Sequence, residues 1–165
     1  MDKETLIAAL DFSRARLLSE LETIQKSGQD TARVLAWRPG PGRAHIGWQA
    51  MHCAATHDRY LNVGLLQQSA RDESLVRDFA GGSKPSDDNV PTLAAIQEKL
   101  TINLEALKKF VATQTPESLQ KQFPAPGGKT RSLAESLILL TWHEAHHQGQ
   151  IHLTWNLFKA AHGVA

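Results

Sequence analysis

The chain has 165 residues, eighteen basic against seventeen acidic side chains, a net charge of +1 and a single cysteine. A length of this order supports one core without cross-links, so residues 1–165 are expected to form one domain. The even charge excludes an electrostatic footprint for nucleic acid or a membrane surface, and the lone Cys53 excludes an intrachain disulfide. No stretch approaches the roughly 18 apolar residues of a membrane span. The opening MDKETLIAALDF carries charges where a secretory leader needs an unbroken apolar run, so the protein is read as cytoplasmic.

Four segments carry helical periodicity, and none alternates with a period of two. The first covers 3–26, with Leu6, Leu10, Leu17, Leu21 and Ile24 on one side and Ser27-Gly28 as its stop. The second covers 44–68 and carries Trp48, His52, Ala55, Val63 and Leu66. The third follows Pro91-Thr92 and runs to 114, where Pro116 ends it by removing a backbone donor. The fourth begins at Ser132, an N-cap with Glu135 at capping-box spacing, and runs to 161. Three stretches rich in loop-forming residues separate them: 37–43 (WRPGPGR), 80–89 (AGGSKPSDDN) and 123–131 (FPAPGGKTR). The expected fold is all-α, a four-helix bundle, with connections long enough to cross it.

Residues 142–151, WHEAHHQGQI, hold three of the eight histidines. On a wheel of about 100° per residue with His143 as origin, His147 falls about 40° away and Gln150 about −20°. Leu139, Leu140, Leu157 and Phe158 lie within about 60° of that origin, and Ile151 within about 80°. The apolar stripe is therefore expected to centre on His143 and His147, with His146 at its edge and His152 opposite. A buried imidazole without a partner costs on the order of 1–3 kcal/mol, and here two lie one turn apart. Water or a carboxylate would satisfy them. So would one divalent metal, because neutral imidazoles at i and i+4 converge on a single ion.

A metal needs a third protein ligand. His52 shares its face with Trp48, Ala55, Thr56 and Val63 and points inward from mid-helix. His57 lies about 140° around the same helix, and His45 sits near its start, as a cap or exposed. The expected site is His52, His143 and His147 with one position open to water, the pattern of catalytic rather than closed structural centres.

His143, Glu144 and His147 also spell HExxH, the zinc-protease pattern in which the glutamate is a general base. The extended form needs glycine and histidine where this chain has Gln150 and Leu153, and no acidic residue follows Glu144 to serve as a downstream ligand. The peptidase reading is set aside, and Glu144 is read as a solvated or packing carboxylate.

Three elements in order resemble the DinB-like superfamily of metal-binding four-helix bundles, which includes bacterial thiol-dependent S-transferases. They are Trp37-Arg38-Pro39 before the second helix, HIGWQAMH ending at His52, and His143 to His147 followed by Gln148-Gly149-Gln150-Ile151. The resemblance spans essentially the whole chain. It implies an up-down-down-up bundle, often a homodimer, binding nickel, zinc or another divalent ion through His52, His143 and His147. His45 stands where the family usually has serine or threonine, a departure expected to weaken that helix cap.

Two readings of function stay open. In one, the open metal position serves an enzyme that joins a low-molecular-weight thiol to a small-molecule electrophile, or hydrolyses a bond. In the other, the ion holds the helices of a non-enzymatic stress-response bundle. Arg59, two turns beyond His52 on nearly the same face, would bind a substrate carboxylate or pair with an acid. Gln150 would orient a ligand or bridge helices. Trp48 reads as core rather than pocket wall, and Cys53 as packing rather than a nucleophile.

Overall fold

Every long helix begins at a side chain that satisfies its free N–H groups. In the computed structural model, which describes residues 1–125 and 129–164, Asp2 caps α1 (Lys3–Lys26) and Thr92 caps α5 (Leu93–Ala112). Ser132 and Glu135 close a reciprocal capping box on α7 (Leu133–His162), and Gly163 ends α7 with a positive φ of 64°. The cap of α3 (Ile46–Asp58) is His45, whose Nδ1 accepts from the Trp48 N–H at 3.0 Å. His45 is fully buried and its Nε2 lies 3.2 Å from the Ser86 carbonyl, so the imidazole caps as a hydroxyl would.

Around these four helices the structure adds what periodicity did not show. The expected second helix stops being α-helical at Asp58 and continues as a π-helical segment, Arg59–Leu65. Short helices α2 (Thr31–Ala36), α4 (Glu73–Phe79) and α6 (Pro116–Leu119) lie in the connections. They are one or two turns long, too short for a hydrophobic repeat to register. Within the expected loop 123–131, β1 (Gln122–Ala125) pairs antiparallel with β2 (Lys129–Ser132), and residues 126–128 lie outside the described residues. Asp58 is buried, and its carboxylate accepts from Asn62 Nδ2 and from the N–H groups of Arg71 and Asp72. That carboxylate ties the junction of α3 and the π-helical segment to the residues that start α4.

Helix α1 packs on α7 and α5, and α3 packs on the same two. Contacts from Ser13 to Thr141, Arg14 to Glu144 and Glu20 to His152 rise together along both chains, so α1 and α7 run in the same direction. Lys3 to Ala112 and Lys108 to Asp11 show α1 and α5 running in opposite directions. Among the described residues, no helix is long and apolar enough to cross a membrane.

The interior is two apolar clusters. One gathers Leu17, Leu21, Ala50, Ile96, Ile151 and Phe158; the other gathers Leu6, Leu10, Leu61, Leu107, Leu137 and Leu140. Between them lies a polar layer. Arg14 of α1 and Glu144 of α7 are 3% and 1% exposed and form a two-pronged ion pair, Nε to Oε1 at 2.5 Å and Nη2 to Oε2 at 3.0 Å. A further Arg14 N–H donates to the Leu100 carbonyl of α5. His57 of α3 completes the layer, with Nδ1 at 3.4 Å from Arg14 Nη2 and Nε2 at 3.4 Å from Glu144 Oε2. One residue from each long helix meets there.

Candidate metal centre

The Arg14 to Glu144 pair sets the rotation of α7. Glu144 faces the bundle axis, so its neighbour His143 turns about 100° away, to the flank. The row facing inward is Leu133, Leu137, Leu140, Glu144, Ile151, Trp155 and Phe158. The stripe is therefore centred on the Glu144 side and not on His143 and His147, which are half-buried at its margin. The same observation overturns the solvated alternative for Glu144: the carboxylate is packed inside, as one half of a buried ion pair. Burial of an ion pair, with Arg14 filling both carboxylate oxygens, also leaves Glu144 unable to serve as a general base beside His143.

The margin is where the three expected ligands meet. His52, His143 and His147 each present a ring nitrogen, all within 4.8 Å of one another. Nε2 of His52 and Nε2 of His143 are 3.0 Å apart. Nδ1 of His52 donates to the Phe79 carbonyl at 2.6 Å, and a carbonyl can only accept, so Nδ1 carries the proton and Nε2 presents a lone pair to its neighbours. Trp48 stacks on the His52 ring, with centroids 4.7 Å apart and planes within 8°. Trp48 is half-buried and holds the His52 ring flat, a more specific place than the expected core position.

These residues fit a divalent ion. Nδ1 of His143 and Nδ1 of His147 are buried without a hydrogen-bond partner, a cost that ligation or a change of tautomer on ligation would offset. Burial pushes the His143 ring down to about 4 and the His147 ring down to about 3, aided by repulsion from the neighbouring imidazoles. Burial lowers His52 as well. Neutral imidazoles are the form that binds zinc or nickel. Among the described residues, no fourth histidine, cysteine, aspartate or glutamate joins the three.

The same shifts predict how the metal-free protein responds to acid. Folded pKa values lie below the unfolded value of about 6.5, so unfolding takes up protons as the pH drops. Stability is full above about pH 6.5 and is lost as the pH falls from there toward the folded values. With chelator present, unfolding at pH 5 is expected to take up close to two protons from His143 and His147, measured from the pH dependence of urea midpoints. A His143→Gln, His147→Gln double variant should lose that two-proton share of the slope and keep the share owed to buried His57 and His52.

The other titratable groups are engaged elsewhere. His57 points into the polar layer instead of joining the three-histidine cluster, and burial together with the Arg14 charge holds it neutral. Cys53 is fully buried with its thiol against the Gln49 carbonyl, and burial followed by the Glu144 charge raises its pKa well above the ordinary value. It stays a thiol, as its packing role requires. His146 is exposed, and the exposed Gln150 amide meets its Nε2 at 2.8 Å.

A cavity of about 500 Å³ opens beside His52 and His143. One wall is a single helical stripe in which His52, Thr56, the pair Arg59 and Tyr60, and the pair Val63 and Gly64 follow about one turn apart. Ala80, Gly81 and Pro124 close the opposite side. Val63, expected to point into the core, is 42% exposed and belongs to this wall.

The sequence profile of the DinB superfamily matches residues 9–151, a span that includes all three histidines. The chain belongs to the DinB superfamily. No curated protein matches it closely enough to add a relative of known activity. In this DinB-superfamily protein, sequence reasoning missed Arg14, although a signal was present. Arg14 sits between Leu10 and Leu17 in the apolar row of α1, and Glu144 follows Leu140 at i+4 in α7. Opposite charges in the middle of two apolar rows mark a buried pair.

Proposed function

We propose that this DinB-superfamily protein is a divalent-metal-dependent enzyme acting on a small molecule, with nickel or zinc held by His52, His143 and His147. The reaction is transfer of a low-molecular-weight thiol to an electrophile, or hydrolysis. One observation carries the reading: three converging imidazoles, with no fourth protein ligand among the described residues, border a cavity of about 500 Å³. When bound there, the ion supplies Lewis acidity and holds a thiol sulfur or a water for attack. The chain's own residues do the positioning. The Phe79 carbonyl fixes the tautomer of His52, Trp48 fixes its ring plane, and the Arg14 to Glu144 pair aims His143 and His147.

The alternative, a structural ion in a non-enzymatic stress-response bundle, has less support, because the polar layer already ties the four long helices together without a metal. The paired helix directions support an up-down-down-up order within one domain. Ile138, Trp142 and Leu153 lie exposed along the outer side of α7, an apolar surface that supports a homodimer. The balanced charge and the absence of a membrane-crossing helix among the described residues support a cytoplasmic protein with neither nucleic acid nor membrane as partner.

The test begins with elemental analysis of protein purified without a histidine tag. Chelated protein is then assayed with monochlorobimane and a panel of thiols, and with activated esters, before and after adding nickel or zinc. Turnover that appears only with metal, and not in His143→Ala, supports the enzyme. A chelated protein that unfolds, with no turnover under any metal, would replace it with the structural alternative.

A further inference from the structure

Among the described residues, the cavity beside the histidines has one charged wall residue, Arg59. Its side chain is exposed and makes one hydrogen bond, Nη1 to the Gly81 carbonyl at 3.3 Å. No carboxylate of the described residues lies within ion-pair distance of it. Four of the five guanidinium N–H groups therefore have no protein acceptor among the described residues, a fork suited to a planar carboxylate. Arg59 lies seven residues beyond His52, about 10 Å along the helix and within about 20° of the same face. Between the two ends the wall is Thr56, with Tyr60 beside Arg59; Val63 and Gly64 continue the wall beyond Arg59, and Ala80 and Pro124 face it with apolar surface.

Resting on the metal-site reading above, we propose that the substrate is a small, mostly apolar acid. Its carboxylate lies on Arg59, its hydrocarbon lies along Thr56 and Tyr60, and its reacting atom lies at His52 and His143. A single guanidinium neutralises a single negative charge, and among the described residues no second cation lines the cavity, so a monoanionic carboxylate fits better than a phosphate. Arg59 is thus a specificity-determining residue rather than a ligand of the ion.

Two arms test the proposal separately from the metal reading. In the first, metal-free protein is titrated with hexanoate and with hexanol while the amide resonances of Gly64 and Gly81 are followed by NMR. Hexanoate should bind about tenfold more tightly than hexanol or better, a contrast that Arg59→Gln abolishes and Arg59→Lys partly keeps. In the second, zinc-loaded protein receives 6-mercaptohexanoate and 6-mercaptohexanol, where the same contrast should appear on top of tighter binding through sulfur. Equal binding of acid and alcohol to the wild-type protein, or an acid preference that survives in Arg59→Gln, overturns the anchor. If zinc fails to bind while the hexanoate contrast persists, the metal reading falls and the anion anchor stands.

Discussion

Replacing Glu144 with glutamine is expected to destabilise the metal-free protein by about 3–5 kcal/mol, because it strands the Arg14 guanidinium in the interior. For a chain of this size that is a fall in Tm of roughly 10 °C or more. Both partners are almost wholly buried, and Arg14 also donates to the Leu100 carbonyl, so neither charge has water to fall back on. The effect belongs to the pair and not to either residue. Arg14→Met should cost about as much, while Arg14→Met with Glu144→Leu should recover most of the loss, since a well-packed apolar pair commonly replaces a buried ion pair without penalty. Urea unfolding of the three variants measures this directly. If Glu144→Gln unfolds within about 1 kcal/mol of wild type, in the range typical of exposed pairs, the layer is not the organiser described above.

The second large effect falls on metal affinity. His52→Ala, His143→Ala and His147→Ala should each weaken zinc binding by more than the 10–100-fold typical of losing an outer-shell partner. Trp48→Ala, which removes only the ring stacked on His52, should fall within that 10–100-fold range. Isothermal titration of chelated protein reads both. Far-UV circular dichroism of the same samples should stay helical, because the polar layer and the two apolar clusters hold the four long helices without the ion. An unchanged zinc affinity in His52→Ala would remove the site as drawn. Histidine-to-alanine changes at His146 or His152, both exposed, serve as the neutral comparison.

Much of the site was legible because its information is local. The caps Ser132 and Glu135, the stop at Gly28 and the i, i+4 pair His143 and His147 depend on spacing within one helix, and the structure places them as that spacing implies. His52 could be selected because His57 points about 140° away, and the structure sends His57 to Glu144 instead. The short helices and the β1 to β2 hairpin were not legible. One or two turns, or four residues of strand containing Pro124, offer too few positions for a period to emerge. The π-helical segment was hidden for a related reason, since residues 59–65 keep an ordinary helical composition and the change lies in backbone hydrogen bonding.

Residue spacing alone placed the four long helices, apart from the far end of the second, and picked out the three imidazoles that come together. It did not determine how α7 is turned. Apolar side chains nearly encircle that helix: Ile138, Trp142, Leu153 and Leu157 are exposed while Leu137, Leu140, Ile151 and Phe158 are buried. A wheel drawn from hydrophobicity alone cannot separate the two sets, and it put the centre of the stripe on His143. The tertiary structure decided otherwise, because a buried carboxylate needs a partner and Arg14 is available only toward the bundle axis. Once Glu144 takes that direction, helical geometry swings His143 and His147 to the margin, where ligating nitrogens and a cavity can meet.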